Sequence, residues 1–240
     1  VFRRRRRTRI TENNSMSISQ NVKALLDELR AGNGYGEPVT LVAATKTRTP
    51  EEINGAIAAG ITDIGENKVQ EFRDKFDAVQ GGNRHFIGHL QTNKIKYLVG
   101  RTYLIQSLDR DELAEELSKR CQRANVTQDV LIEVNIGCEE SKSGYPLQEA
   151  WAAYERIRGT QGLRVRGFMA MLPLAGSEEE LAALVKEMRA LFERAKAQNE
   201  NIRWLSMGMS GDWKLCLRHG ANMIRLGTAI FGERRYAPAE

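Results

Sequence analysis

Cysteine is scarce in this chain, and its three residues follow no pattern. Cys121, Cys138 and Cys216 are odd in number, scattered, and not part of any CxxC motif. A disulfide framework needs pairs and a zinc site needs ligands at regular spacing, so neither is expected. We therefore predict reduced thiols in a cytoplasmic protein, and no metal site.

Long apolar runs are also missing. No stretch approaches the ~20 residues that a membrane-spanning helix needs, so we predict no membrane segment. The first residues lack the apolar core of a secretory signal. With 41% hydrophobic and 28% charged residues, the 240-residue chain has the composition of a globular protein and enough material for one large α/β domain or two small ones.

Beyond its first 15 residues the chain has no net charge. Residues 1–15 hold six arginines and one glutamate, which account for the net charge of +5 and leave 30 basic and 30 acidic residues elsewhere. Like charge at a terminus is typical of a disordered arm, and a nucleic-acid-binding arm is one alternative. Because the neutral remainder offers no basic or aromatic platform, we expect no nucleic-acid partner. We interpret residues 1–15 as a disordered extension outside the fold and residues 16–240 as one domain.

The remainder alternates between apolar runs and helical patterns. This spacing predicts a parallel sheet with helical crossovers, and eight units favour a closed (β/α)8 TIM barrel preceded by an extra helix at 17–31. An open doubly wound sheet is the alternative, but no GxGxxG motif follows the first strand. The predicted strands are 41–45, 62–65, 84–89, 102–108, 130–136, 163–171, 202–209 and 222–232. The predicted intervening helices are 51–59, 68–78, 91–99, 110–124, 147–158, 177–198 and 212–219.

A lysine ends the first predicted strand. Lys46 follows the run LVAAT, and Pro50 opens the helix beyond it. A lysine at the carboxyl tip of a buried strand is partly desolvated, which lowers its pKa and makes the free amine available for a Schiff base. The alternative is a lysine that simply extends into solvent.

Two segments have the composition of phosphate-binding turns. SMGMSGD at 206–212 places two glycines and two serines between a strand and a helix, and RLGT at 225–228 follows the last strand. Small residues let backbone N–H groups approach an anion, and a helix N-terminus favours negative charge. Phosphate sites after strands seven and eight recur in this type of barrel. Ordinary turns are the alternative.

Motifs along nearly the whole chain resemble one family. They are VAATKTR, DIGENKVQE, HFIGHLQTNK, NIGCEESKSG, GFMAM, LSMGMSGDW and RLGTAIFG, in the order in which that family has them. The chain resembles the pyridoxal phosphate homeostasis proteins, the YggS/PROSC family, whose fold type III barrel is related to the N-terminal domain of alanine racemase. The resemblance implies pyridoxal 5′-phosphate as the cofactor.

The resemblance also implies roles for particular residues. Lys46 would form the Schiff base, Asn67 would border the cofactor ring with His89 nearby, and Arg225 would face the pyridine nitrogen. In this chain Lys68 stands where the family more often has tyrosine. Lys142 is either a solvated loop residue or attracts phosphate. The residues implied beside the phosphate are Ser206, Gly208, Ser210, Gly227 and Thr228.

The expected function is to hold the cofactor and deliver it, with no catalytic residue assigned. A racemase needs a second acid/base, which alanine racemases take from a C-terminal β-domain, whereas this sequence ends at Glu240. An arginine facing the pyridine nitrogen disfavours its protonation and weakens the electron sink. We expect pyridoxal phosphate homeostasis, with apo enzymes that use pyridoxal phosphate as the partners. The alternative is a small amino-acid racemase that depends on the same cofactor.

Overall fold

The computed structural model describes residues 17–137 and 143–233 of the chain. The predictions that concern residues 1–15, Cys138 and Lys142 lie outside these ranges.

Eight parallel strands close into a barrel within the described residues. The described residues form nine strands in all, eight in the barrel and β6 outside it: β1 (Thr40–Ala44), β2 (Asp63–Glu66), β3 (Asn83–Phe86), β4 (Leu104–Leu108), β5 (Gln128–Asn135), the two-residue β6 (Tyr145–Pro146), β7 (Leu163–Ala170), β8 (Trp204–Ser206) and β9 (Met223–Leu226). Around the barrel the order is β1, β2, β3, β4, β5, β7, β8 and β9, and β9 pairs back onto β1. Strand β6 pairs only with β5, outside the ring. The predicted (β/α)8 barrel is confirmed.

Helices separate the strands and follow them along the chain. They are α1 (Ile18–Leu29), α2 (Pro50–Ala58), α3 (Val69–Asp74), α4 (Asp111–Ala124), α5 (Leu147–Ile157), α6 (Glu178–Lys196), α7 (Trp213–Arg218) and α8 (Thr228–Phe231). The extra N-terminal helix is confirmed as α1, which begins with a capping box formed by Ser17 and Gln20. Among the described residues, no helix is long and apolar enough to cross a membrane.

Several segments differ from their predicted form, among them the three that follow. The predicted helix at 91–99 is a 3₁₀ helix over Thr92–Tyr97. The predicted strand at 222–232 divides into β9 and α8 at Gly227. The predicted strand at 84–89 ends at Phe86, so that His89 lies in the loop beyond it. Short apolar runs do not distinguish strand from helix by periodicity alone, which is why these boundaries were misplaced.

Alternation along the strands divides the core into two regions. One face of each strand packs against the helices and forms the larger apolar cluster. The opposite face points into the barrel, where a smaller apolar cluster lies, and Met169 belongs to it as barrel filling. The residues of this inner cluster are Val42, Leu104, Leu131, Met169 and Met223. Polar side chains occupy the remaining inward positions, and they build the site described below.

An ion pair ties α6 to the loop that precedes β1. Arg189 donates from Nη1 to Oε2 of Glu37 at 2.6 Å and from Nη2 to Oε1 at 2.9 Å. Arg189 also donates to the Gly220 carbonyl at 2.8 Å, so one guanidinium joins three segments. The bond from Arg189 lowers the pKa of Glu37 to about 2, although partial burial opposes that shift.

Glu37→Gln should lower the free energy of unfolding at neutral pH by about 2 kcal/mol, because the amide loses its charge-assisted bonds to Arg189. The pKa of Glu37 in the folded protein lies below its ordinary value of 4.5, so the stability that it contributes is present above pH 4.5 and is lost as the pH falls toward 2. Urea unfolding of both proteins at neutral pH and near pH 3 measures the effect. The difference in the free energy of unfolding between the parent protein and Glu37→Gln should be smaller at the lower pH.

Asp27→Asn is the matched control. It removes an exposed ion pair, in which the side chains of Arg30 and Asp27 are 81% and 64% accessible. We expect this change to stay within about 0.5 kcal/mol of the parent protein at both pH values. If both substitutions lowered the free energy of unfolding equally, the pair of Glu37 and Arg189 would contribute no more to stability than an exposed ion pair.

Candidate cofactor site

A cleft opens at the carboxyl ends of β1, β8 and β9. Its volume is about 260 Å³. Five of the nine residues predicted for the site lie in it, namely Lys46, Ser210, Arg225, Gly227 and Thr228. Ala44, Arg48, Met209 and Gly211 complete the lining. The topology explains the grouping, because the carboxyl ends of parallel strands meet at one rim of the barrel.

Lys46 is partly buried and lies two residues beyond β1, in a tight turn. The Arg48 N–H donates to the Thr45 carbonyl at 3.1 Å and closes the turn. Thr47 has a φ of 64°, a left-handed conformation that is rare for a β-branched residue. Such strain costs about 1–3 kcal/mol and persists only where the surroundings enforce it. The turn that presents Lys46 is therefore held in place by its neighbours.

A charged cluster on β2 and α3 holds this turn. Lys75 Nζ donates to the Thr45 carbonyl at 3.0 Å and to carboxylate oxygens of Glu66 and Glu71, both at 2.8 Å. Glu71 Oε2 in turn accepts the Thr47 N–H at 2.8 Å. Burial raises the pKa of Glu66, opposed by its bonds from Lys75 and Thr45. All three ammonium hydrogens of Lys75 have acceptors, so the cluster fixes the turn on both sides of Lys46.

The turn after β8 offers donors to an anion. Asp212 Oδ1 accepts the Met209 N–H at 2.6 Å, and the Met209 carbonyl accepts from Asp212 and Trp213. The backbone N–H groups of Ser210 and Gly211 form no hydrogen bond within the described residues. A side chain at Gly211 would meet nothing within 4 Å, so the approach is open. These N–H groups and the exposed Ser210 hydroxyl suit a phosphate.

The turn after β9 faces the same space. A Cβ at Gly227 would lie 3.3 Å from the Ala44 carbonyl oxygen, so the small residue lets this turn lie against the end of β1. The Thr228 side chain is exposed and lines the cleft. Its backbone N–H has no partner among the described residues. Lys46 thus shares the cleft with two turns that can hold a phosphate, and we call this space the Lys46 cleft.

Ser206 and Gly208 do not line the cleft. Ser206 is fully buried, and its hydroxyl contacts Arg225 and Gln106. Gly208 has a φ of 108°, and a Cβ there would lie 2.8 Å from the Trp213 Cα atom. Both residues therefore shape the structure beneath the turn, and their implied place beside the phosphate stays a prediction.

Arg225 is the buried cation at the floor of the cleft. Its Nη1 donates to the Ser206 carbonyl at 2.9 Å and to Ser206 Oγ at 2.6 Å, and its Nη2 donates to the Ala170 carbonyl at 3.1 Å. Burial lowers the pKa of Arg225, while the negative charge of Glu133 opposes that shift. Arginine remains charged in proteins, so the floor is cationic.

Asn67 and His89 line a different cleft. It lies beside the first, has a volume of about 290 Å³, and is cationic through Lys68, Arg73 and Lys94. The His89 ring is half exposed, and its Nδ1 lies 3.0 Å from both Ser143 Oγ and Asp109 Oδ2. The Asn67 Oδ1 atom is buried without a hydrogen-bond partner in the described part of the chain. We call this second space the Asn67 cleft.

Two relevant residues were missed by the sequence analysis. Arg48 lines the Lys46 cleft, is 8% accessible, and donates to the Gly232 carbonyl at 2.5 Å. Glu133 is buried inside the barrel, where burial and the charge of Asp109 raise its pKa to about 7. A glutamate within the apolar run VLIEVN, at a position that alternation turns inward, was the available signal for Glu133.

The Lys46 cleft can hold an aldehyde and a phosphate, but it offers little for proton transfer. Within the described residues, its lining contains no Asp, Glu, His, Tyr or Cys. No cluster of three or more His, Cys, Asp or Glu in the described ranges could hold a metal ion. Its chemistry is that of one amine, the two buried guanidinium groups of Arg48 and Arg225, and two anion-binding turns.

Known proteins are similar to this chain in sequence. The sequence model of the alanine racemase N-terminal domain family matches residues 15–235. A pyridoxal phosphate homeostasis protein of Aquifex aeolicus is 40% identical over 210 residues, covering 86% of this chain and 92% of that protein. The protein of the same description from Haemophilus influenzae is 34% identical over 235 residues, covering 94% and 99%.

Solved structures share the fold. A protein described as unknown, from Bifidobacterium adolescentis, superposes with a TM-score of 0.83 at 33% identity, covering 89% of this chain and 94% of that one. PipY of Synechococcus elongatus PCC7942, with PLP bound, gives a TM-score of 0.78 at 29% identity, covering 90% and 100%. Alanine racemase of Clostridium difficile, at 14% identity and a TM-score of 0.70, covers 93% and 59% and shows the fold alone. The chain belongs to the family of pyridoxal phosphate homeostasis proteins, within the alanine racemase N-terminal domain family.

Proposed function

We propose that this protein binds pyridoxal 5′-phosphate through a Schiff base to Lys46, keeps it in the cytoplasm, and delivers it to enzymes that require it. The observation that carries the proposal is the single cleft that unites Lys46, two turns with unpartnered N–H groups and the buried Arg225. The cofactor supplies an aldehyde that reacts reversibly with amines. The PLP-bound structure of the PipY neighbour supports the choice of cofactor.

Each residue of the cleft has a separate role in binding. Lys46 supplies the amine from a turn that Lys75 and Glu71 hold in place. Ser210 and Thr228, with the backbone N–H groups beside them, would hold the phosphate. Arg225 would face the pyridine nitrogen, as the family resemblance implies. A guanidinium there leaves that nitrogen unprotonated and the ring a weak electron sink.

The cleft favours retention and release over turnover. A racemase needs an acid/base on each face of the substrate, and the described cleft lining contains no Asp, Glu, His, Tyr or Cys to act opposite Lys46. Ser210 and Thr228 are exposed, so the predicted phosphate end is accessible from solvent. We therefore propose apo enzymes that use pyridoxal phosphate as the recipients.

A small amino-acid racemase is the second candidate. Glu133 favours it, because a buried carboxyl with a pKa of about 7 has the properties of a general acid or base at neutral pH. Its carboxyl acts on Arg225 electrostatically, yet Glu133 is absent from the lining of the Lys46 cleft. The carrier function is the better supported of the two.

The protein loaded with pyridoxal phosphate should show the absorption band of a Schiff base, and Lys46→Ala should abolish that band. The physical reason is that Lys46 supplies the amine within the cleft that the phosphate-type turns share. Borohydride reduction followed by peptide mapping locates the attachment. Lys75→Ala is a useful comparison, because it should weaken the band without removing the amine. An adduct found chiefly on another lysine would refute the assignment.

Ser210→Ala and Gly227→Val should weaken binding of pyridoxal phosphate far more than binding of unphosphorylated pyridoxal. Loss of one hydrogen bond to a charged phosphate corresponds to about tenfold in Kd. Equilibrium dialysis with both ligands measures the ratio. Lys94→Ala, in the Asn67 cleft, is the control and should leave the ratio unchanged. Equal losses for both ligands would indicate general misfolding in place of a phosphate site.

Protein loaded with pyridoxal phosphate should reactivate an apo enzyme that requires it, and should not racemise amino acids itself. The reason is that the cleft holds the cofactor but lacks a second acid/base. A transfer assay with a purified apo aminotransferase, run beside chiral chromatography of L- and D-amino acids, separates the two functions. Glu133→Gln tests the alternative directly. Sustained racemisation that requires both Lys46 and Glu133 would establish the racemase.

A further inference from the structure

Five buried side chains form a continuous hydrogen-bonded path across the barrel interior, from β9 to β2. Arg225 Nη1 donates to Ser206 Oγ at 2.6 Å, and Ser206 Oγ donates to Gln106 Oε1 at 2.7 Å. Beyond it, Gln106 Nε2 lies 2.8 Å from His85 Nδ1, and His85 Nε2 lies 2.9 Å from Asp63 Oδ1. None of the five is more than 6% accessible. We call these residues the interior chain.

The guanidinium fixes the direction of every bond in the interior chain. A guanidinium only donates, so Ser206 Oγ accepts from Arg225 and gives its own hydrogen to Gln106 Oε1. The amide nitrogen of Gln106 then faces His85 and donates to Nδ1. The hydrogen of the His85 ring must therefore be on Nε2, where it donates to Asp63. Each link then has one donor and one acceptor, and a single ring hydrogen satisfies both contacts of His85.

The opposite orientation of the Gln106 amide is unfavourable. It would direct two donors at Ser206 Oγ, from Arg225 and from Gln106, and would leave the Ser206 hydrogen without its acceptor. It would also require a second proton on His85, on the side that faces Gln106. A mismatch at one link is thus passed to the next, which makes the interior chain a cooperative unit.

The two ends of the interior chain carry opposite charges. At one end is the Arg225 guanidinium, and at the other is the Asp63 carboxylate. Burial tends to raise the pKa of Asp63, but hydrogen bonds from His85, Thr62 and Asn83 lower it overall. A directed series of bonds between a buried cation and a buried anion stabilises both charges, because each dipole points the same way. Strand β4 supplies the central link that neither end could reach alone.

We propose that Gln106 and His85 are positioning residues for Arg225, a role that rests on the proposed binding of pyridoxal phosphate in the Lys46 cleft. Neither residue lines that cleft. They act by holding the Ser206 hydroxyl as an acceptor toward Arg225, which fixes the guanidinium at the floor of the cleft. Without Gln106, the Ser206 hydroxyl loses its acceptor and can rotate, and Arg225 keeps only its bonds to the carbonyls of Ser206 and Ala170.

The first test uses the protein without cofactor and observes Arg225 directly. Nitrogen-15 NMR of labelled arginine distinguishes a guanidinium that is locked by hydrogen bonds from one that rotates. The parent protein should show separate, slowly exchanging Nη signals that vanish in Arg225→Lys. Gln106→Leu should merge the Arg225 signals. The signals of Arg189, whose guanidinium binds Glu37 on the outside of the barrel, should not change.

Matched variants separate positioning from stability. Gln128→Leu removes another buried glutamine, which bonds to the carbonyls of Thr102 and Asp129 outside the interior chain. It should leave the Arg225 signals intact. Ser206→Ala should reproduce the effect of Gln106→Leu, and Ser206→Thr, which keeps a hydroxyl, should restore the parent spectrum. Ser206→Ala also serves if Gln106→Leu fails to fold.

The second measurement uses added pyridoxal phosphate. Gln106→Leu should weaken its binding by about tenfold, as expected for loss of one positioned hydrogen-bonding group, and should shift the absorption band of the bound cofactor. Gln128→Leu should do neither. If Gln106→Leu and Gln128→Leu behave alike in both measurements, the positioning role is overturned. If the parent protein binds no pyridoxal phosphate, the proposed function fails, while the arginine spectrum still decides whether the interior chain fixes Arg225.

Discussion

The pairing of the first barrel strand with the last is the constraint on which the site depends. Strand β9 aligns with β1 so that Arg225 lies opposite Val42 and Leu226 lies opposite Ala43. The segments that leave these two strands therefore emerge side by side at one rim. Lys46 and Gly227 thus line the same cleft, although they lie near opposite ends of the sequence. Closure of the barrel, and not a local motif, creates the cleft. A change that opened the β1–β9 seam would dissolve the site without touching any residue that lines it.

Charge inside the barrel is balanced over a long path. Arg225 is buried, and an isolated buried cation would be very costly. The interior chain connects it to Asp63 on the far wall, and Glu133 contributes a further negative potential. At the rim, the charge of Lys75 is balanced by Glu66 and Glu71, and these three residues hold the turn that carries Lys46. Both arrangements use buried charge for position, so the turn that carries Lys46 and the Arg225 guanidinium are each held by a network of buried hydrogen-bonded groups.

The sequence predicted the barrel, and it predicted that Lys46 and the two turns lie at one rim, because strand and helix periodicity and small residues are local signals. It did not predict that Ser206 faces Arg225, since the partner that orients its hydroxyl, Gln106, lies 100 residues away. Asn67 and His89 were placed with Lys46 by resemblance, whereas in the structure they line the separate Asn67 cleft, and their role beside the cofactor stays a prediction. Such placements follow from side-chain contacts between distant strands, which periodicity does not encode. The 3₁₀ form of Thr92–Tyr97 and the short α8 escaped prediction for the simpler reason that a few apolar residues fit more than one conformation.

A crystal structure of the protein soaked with pyridoxal phosphate would locate the bound cofactor. The account predicts continuous density from Lys46 Nζ to the cofactor, with the phosphate between the Ser210–Gly211 and Gly227–Thr228 turns and the ring above Arg225. The Asn67 cleft provides the internal alternative, because its cations, Lys68, Arg73 and Lys94, could also attract phosphate. Phosphate density in that second cleft, with none in the first, would contradict the account.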